Sequence, residues 1–229
     1  MRLALAIMAS VFLFVGQIWA AEGVELKTKK DKVSYAVGVN VGKGMQQQSM
    51  EIDPDIFAKG LKDAMTGAKT AMPDEEMRQI MTALQKEMKE KQAAKMNAAA
   101  EKNKKEGETF LAANKKKEGV KTLSSGLQYK VIKEGTGQKP KSTDTVTTNY
   151  RGTLIDGTEF DSSYRRGQPA EFPVSGVIPG WTEALQLMKV GSKWQLFVPS
   201  NLAYGERSAG NIIGPNATLI FDIELISIK

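Results

Sequence analysis

The five residues Val177-Ile-Pro-Gly-Trp181 constrain this chain more than any other stretch. Pro179 and Gly180 set a turn, and Trp181 opens an amphipathic run through Ala184, Leu185 and Met188. That i, i+3, i+4, i+7 spacing predicts a short one-sided helix, with Gly191 as its stop. Segments on either side alternate like strands: Leu127, Tyr129 and Val131; Val146, Thr148 and Tyr150; Trp194, Leu196 and Val198; Leu219, Phe221, Ile223 and Leu225. Pro199 stops the third of these, and Asp156-Gly157 marks a tight hairpin. A helix embedded in such an antiparallel pattern predicts an α+β domain from about Glu118. Laid across a curved sheet, the helix would gather Tyr150, Phe160, Phe172, Tyr204, Ile212, Ile213 and Phe221 around Trp181. Two readings fit: an ordinary core, or an apolar cup floored by the indole.

Composition narrows the chemistry. The chain has no histidine and no cysteine. Imidazole-based nucleophile systems are therefore excluded, and so are disulfides and lipid-attachment thiols. A zinc site would have to be built from carboxylates alone, which zinc disfavours. Catalysis here must work without proton shuttling by imidazole.

The basic balance is uneven. Lys86 to Lys121 holds eleven Lys against six Glu, while Thr122 to Lys229 holds eleven Lys and Arg against ten Asp and Glu. A basic run can contact nucleic acid or membrane. This one has few aromatics to stack bases, which favours a solvated helix face and argues against a nucleic-acid partner. Residues 1–20 combine an early arginine, an apolar stretch from Leu3 to Val15 and a small-residue end at Ala20-Ala21. That is the pattern of a secretory signal peptide cleaved after Ala20, with an uncleaved membrane anchor as the competing reading. The stretch is short for a span of ~20 residues, so no stable membrane span is expected after cleavage.

The segment after the signal is harder to read. Val33, Tyr35, Val37, Val39 and Val41 alternate, which locally favours a strand. Val33, Val37 and Val41 also stack at i+4 on a helix, where Gly38 and Gly42 would admit a close partner. Asp53 caps a clearer helix with Pro54 in its first turn, an Ile52–Phe57 staple, and Gly67 at its end. Pro73 opens another, with an apolar stripe of Met77, Ile80, Met81, Leu84 and Met88. Beyond Met88 the stripe thins to alanines while Lys and Glu continue to about Asn114. A helix polar all round spans solvent or is unstable alone. The expectation is an exposed arm of roughly 60 Å at ~1.5 Å per residue, with Gly107 as a weak point.

Four runs then fall in order: Asp156-Gly-Thr-Glu-Phe-Asp-Ser-Ser163, Val177 to Trp181, Asn201-Leu-Ala-Tyr-Gly205, and Pro215-Asn-Ala-Thr-Leu-Ile-Phe-Asp-Ile-Glu-Leu225. Together they closely resemble the FKBP family of peptidyl-prolyl cis-trans isomerases. The amino-terminal half is similar to the exported macrophage-infectivity-potentiator type. The resemblance implies a helical dimerisation domain over 21–72, a long helix over 73–117 whose start packs in that domain, and an isomerase domain over 118–229. It favours a helix over Asp31 to Met45. Implied partners are proline-containing unfolded or partly folded exported proteins, a second copy of the chain, and macrolide inhibitors. The location implied is the periplasm or the outer membrane, and no cofactor or metal is implied. A helical segment of about fifty residues is marginal as a lone domain, which independently favours a shared dimer core. A monomer with its helices packed on the isomerase domain is the alternative.

The resemblance also assigns residues. Tyr150, Phe160, Val177, Ile178, Trp181 and Phe221 match the wall and floor of the family's pocket, with Phe172 beside them. Tyr204 matches the tyrosine that donates to a substrate carbonyl, and Asp161 the carboxylate beside the bound amide. Arg166 matches a basic residue pairing with Asp161 and Tyr150 at the rim; an ordinary surface salt bridge is the alternative. Ile212 and Ile213 match the overhanging flap. Ala170 replaces an aromatic frequent in the family and predicts a more open wall, and Ala209 takes a flap-tip position that is histidine in some relatives. The function implied is prolyl isomerisation of exported proteins, with a holdase chaperone as the alternative.

Overall fold

The computed structural model describes residues 24–229. The expected signal peptide, 1–20, lies outside the described residues. Among the described residues, no helix is long and apolar enough to cross a membrane. The chain divides into two compact units that meet at Asp74 and Glu75.

The first unit contains α1 (Lys29–Gln47) and α2 (Pro54–Thr66). The alternation of valines in α1 had favoured a strand locally; a helix forms instead. Its start carries a capping box, in which the Thr28 hydroxyl accepts from the Asp31 amide and the Asp31 carboxylate accepts from the Thr28 amide. Two otherwise orphaned donors are satisfied there, a local signal that outweighs valine's strand preference. α2 follows its sequence reading. The Asp53 carboxylate accepts from the Asp55 and Ile56 amides, and Gly67 closes the helix at φ 66°. Neither helix buries a large apolar side chain. Val33, Tyr35, Val37, Phe57 and Leu61 are all exposed.

The second unit begins with α3 (Asp74–Asn114), a continuous helix of 41 residues. Ion pairs one turn apart, such as Lys91 with Glu87 at 2.7 Å, brace its polar surface. The expected arm is not exposed to its end. Over its last turns Asn103, Gly107, Phe110, Leu111 and Asn114 form one stripe that meets the segment before β7 and the sheet. Phe110 lies against Phe197 with ring centroids 6.0 Å apart. Buried Asn114 donates to the Gln128 side chain at 3.0 Å, and Gln128 donates back to the Leu111 carbonyl. Two of these positions are asparagine and one is glycine, so no apolar stripe announced the contact. Gly107 is no weak point either: it is buried, and the helix runs through it.

Seven antiparallel strands follow: β1 (Val120–Thr122), β2 (Gln128–Lys133), β3 (Thr145–Leu154), β4 (Glu159–Ser162), β5 (Ala170–Pro173), β6 (Lys193–Val198) and β7 (Leu219–Ile228). Their order is β1-β2-β6-β7-β3-β4, with β5 also paired to β3. The Asp156-Gly157 hairpin forms as read, Gly157 taking φ 88°. A one-turn helix α4 (Ser163–Arg166) leaves β4, and α5 (Pro179–Leu187) crosses the sheet. Trp181, Ala184, Leu185 and Met188 point from α5 and its end into the core, meeting Leu196, Val198, Ile223 and Leu225. The fold is an α+β sheet wrapped on one short helix, preceded by helices.

Candidate active site

The start of α5 sets the site. Pro179 and Gly180 occupy its first turn, so Trp181 enters the helix with its indole inside the sheet's curve. Three aromatic rings stand nearly perpendicular to that indole: Tyr150 at 5.2 Å, Phe221 at 5.2 Å and Phe172 at 5.7 Å between centroids. Phe160 packs edge-on to Phe221 at 5.5 Å. Edge-to-face pairs place positive ring edges against negative faces, so the rings fix one another's orientation.

These rings border an open cavity of about 640 Å³. Its walls carry Tyr150, Phe160, Phe172, Trp181 and Phe221, with Val177 and Ile178 from the turn before α5. Exposed Ile212 and buried Ile213 line it too, Asp161 and Tyr204 supply polar atoms, and Tyr204 is exposed. Every sequence-predicted residue except Arg166 therefore lines one cavity. Arg166 stands behind Asp161. Ala170 lies on β5 opposite Thr148 and packs against the core, outside the lining.

The polar rim is a closed triangle. The Tyr150 hydroxyl donates to Asp161 at 2.5 Å, while Arg166 donates to that hydroxyl at 2.7 Å and to the other Asp161 oxygen. Partial burial pushes the Asp161 carboxyl up, but hydrogen bonds from Tyr150, Arg166 and the Ser162 amide together hold it below its ordinary value. Burial, then the Asp161 carboxylate, push the Tyr150 hydroxyl up. Both effects keep Asp161 ionised and Tyr150 protonated at neutral pH.

Sequence reasoning missed four contributors. Gly176, Gly210 and Asn211 line the cavity, and Ala209 joins them at the flap where only its position had been noted. Gly152 does not line it but makes it possible. A β-carbon there would sit 2.5 Å from the Phe160 ring and 2.9 Å from Phe221, closer than carbon atoms approach. Its signal, a glycine inside an alternating strand, marks a close approach.

The arrangement offers a largely apolar recess with a fixed carboxylate and an accessible phenol at its mouth. It holds no nucleophile–base pair. Residues 136–226 match the family described as FKBP-type peptidyl-prolyl cis-trans isomerase, and residues 30–131 the domain amino terminal to it. The chain is 54% identical over 210 residues to the outer membrane protein MIP of Legionella longbeachae, covering 92% of this chain and 90% of that one. It is 50% identical over 220 residues to the peptidyl-prolyl cis-trans isomerase Mip of Coxiella burnetii, covering 96% and 95% respectively. The crystal structure of FkpA from Escherichia coli superposes with a TM-score of 0.69 at 40% identity, covering 90% of this chain and 99% of that one.

Proposed function

This chain belongs to the FKBP family of peptidyl-prolyl cis-trans isomerases, and from that premise we propose that it turns X-Pro bonds of exported proteins inside the cup floored by Trp181. The observation that carries the assignment is the aromatic enclosure with a charged triangle confined to its rim. An X-Pro bond resists rotation by ~18–20 kcal/mol because resonance gives it partial double-bond character. Resonance also places negative charge on the amide oxygen, and water solvates that planar, polar form. Twisting the bond removes much of the charge separation. A recess that excludes water therefore favours the twisted amide over the planar one, which is differential binding of the transition state. The step needs no acid, base or metal, as suits a chain without histidine.

Tyr204 donates its hydroxyl to a substrate carbonyl, Asp161 faces the bound amide, and Phe160, Phe221, Val177 and Ile178 hold the proline ring. Replacing Phe160 or Tyr204 by Ala, followed by a peptide isomerisation assay, tests this assignment. A large loss in both with the fold intact supports it, and full activity in both overturns it. Tyr204→Phe isolates the hydroxyl; one hydrogen bond is worth ~0.5–1.5 kcal/mol, so the expected loss is nearer tenfold than a thousandfold.

Export is supported by the signal-like pattern of residues 1–20 and by the similarity to an outer membrane protein of Legionella longbeachae. Self-association through α1 and α2 is supported by their exposed Val33, Val37, Phe57 and Leu61, which a lone helical unit leaves in water. The holdase reading is not favoured, since the named activity of several relatives is isomerisation.

A further inference from the structure

We propose that Asn103, on α3, is a positioning residue for the isomerase reaction: it holds the flap of residues 209–217 in place over the cup. The inference rests on the cup being the isomerase site. Three contacts hold the flap without α3: the Ala209 and Ile213 amides donate to each other's carbonyls at its tip, the Ile213 side chain is buried, and the Asn216 amide donates to the Gly205 carbonyl at 2.7 Å. Ile212 is exposed. The return limb is where α3 enters. The Asn103 side chain donates to the Pro215 carbonyl at 2.8 Å, a bond spanning 112 positions of sequence. One helical turn further on, Gly107 lets the α3 backbone close on Thr218; a β-carbon there would lie 2.3 Å from the Thr218 hydroxyl oxygen.

Asn103 and Thr218 also border a second crevice of about 200 Å³ beside the flap. Ile212 lines both that crevice and the cup. The same flap thus faces substrate on one count and α3 on the other, and Asn103 is the hydrogen bond that ties its return limb to the helix. A flap held this way meets planar and twisted amides alike. Its loosening therefore weakens binding more than it slows the bound complex.

The test uses the full chain with Asn103→Ala and Asn103→Asp; the second keeps the shape but removes the donor. Hydrogen exchange at the Ala209 and Ile213 amides reports the flap, exchange in β6 reports the global fold, and peptide isomerisation gives KM and kcat. The expected result is faster exchange at the flap alone, with KM raised about two- to tenfold, the worth of one hydrogen bond, and kcat little changed. Unchanged flap exchange, an unchanged KM, or faster exchange throughout the sheet would overturn the proposal. Phe160→Ala and Tyr204→Ala in the same assay separate the two claims. Full activity in both removes the cup assignment and this proposal with it, whereas lost activity in both with no effect at Asn103 removes this proposal alone.

Discussion

Tyr150 and Asp161 are joined hydroxyl to carboxylate across 2.5 Å at the mouth of the cup, so the carboxylate lining the cavity is held by a side chain that also forms the cup's wall. Arg166 bonds both and completes the network without lining the cavity. An isolated exposed ion pair is worth little. Here the pair's value lies in geometry: it orients the Tyr150 ring and keeps a carboxylate directed at the rim.

The pH dependence follows from those two groups. The folded-state value of Asp161 is lowered, so its favourable contribution is present above the ordinary 3.8 and is lost as pH falls below it. The Tyr150 value is raised above the ordinary 10.0, so its contribution holds below that value and is lost as pH rises through the folded one. With no histidine between them, isomerisation measured by an uncoupled assay should be flat from about pH 6 to 8. A bell-shaped profile in that window, in a folded sample, would point to a general acid or base outside this mechanism.

Gly152→Ala tests how the cup is shaped. The added methyl meets Phe160 and Phe221 inside contact distance, so one ring must move toward the cavity. Overpacking of this kind costs ~1–3 kcal/mol. The expected outcome is a lower denaturation midpoint together with weaker peptide isomerisation. Activity equal to that of the parent would mean that the Phe160–Phe221 arrangement does not set the reaction.

Much of the sheet and cup was legible because it rests on periodicity and on side chains with one obvious place to go. Trp181, Ala184, Leu185 and Met188 could be buried only together, and Leu219, Phe221, Ile223 and Leu225 only on one face. What escaped depends on contacts without hydrophobic signature. The cap of α1 lies in Thr28 and Asp31, ahead of the misleading valine alternation. The docking of α3 runs through Asn103, Gly107 and Asn114, which read as solvated residues of a polar arm. Asn211 and Gly210 reach the cavity only through the path of the flap, and local sequence does not specify that path.

The docked end of α3 changes where the second unit can be cut. A fragment beginning at Glu118 removes Phe110 from Phe197, and it leaves Gln128 without the Asn114 side chain and the Leu111 carbonyl. Losing one buried aromatic contact costs up to ~1.5–3 kcal/mol. Such a fragment should unfold at clearly lower urea than one beginning at Ala98. Both should isomerise short peptides because the cup residues lie beyond Glu118, the shorter one with the raised KM expected from losing the Asn103 bond to Pro215. Equal midpoints would show that the helix end adds nothing to the sheet's stability.

Self-association separates the amino-terminal unit's role from that of the cup. Val33 is 53% exposed, Val37 56% and Leu61 52%, with Phe57 beside Leu61 on α2. Met81, early in α3, is 53% exposed as well. Apolar side chains grouped on short helices are unfavourable in water, and pairing two copies would remove them from it. The chain from Ala21 onward should therefore sediment as a dimer, and Val37→Glu with Leu61→Glu should yield monomers by placing carboxylates in the shared face. Peptide turnover per cup should be unchanged in those monomers, since none of these side chains lines the cavity. Turnover of a proline-limited refolding protein should fall, because two cups on one particle raise the effective concentration of the second. A monomeric parent chain would end the dimer reading; a dimer whose charged variants stay dimeric would move the interface off α1 and α2.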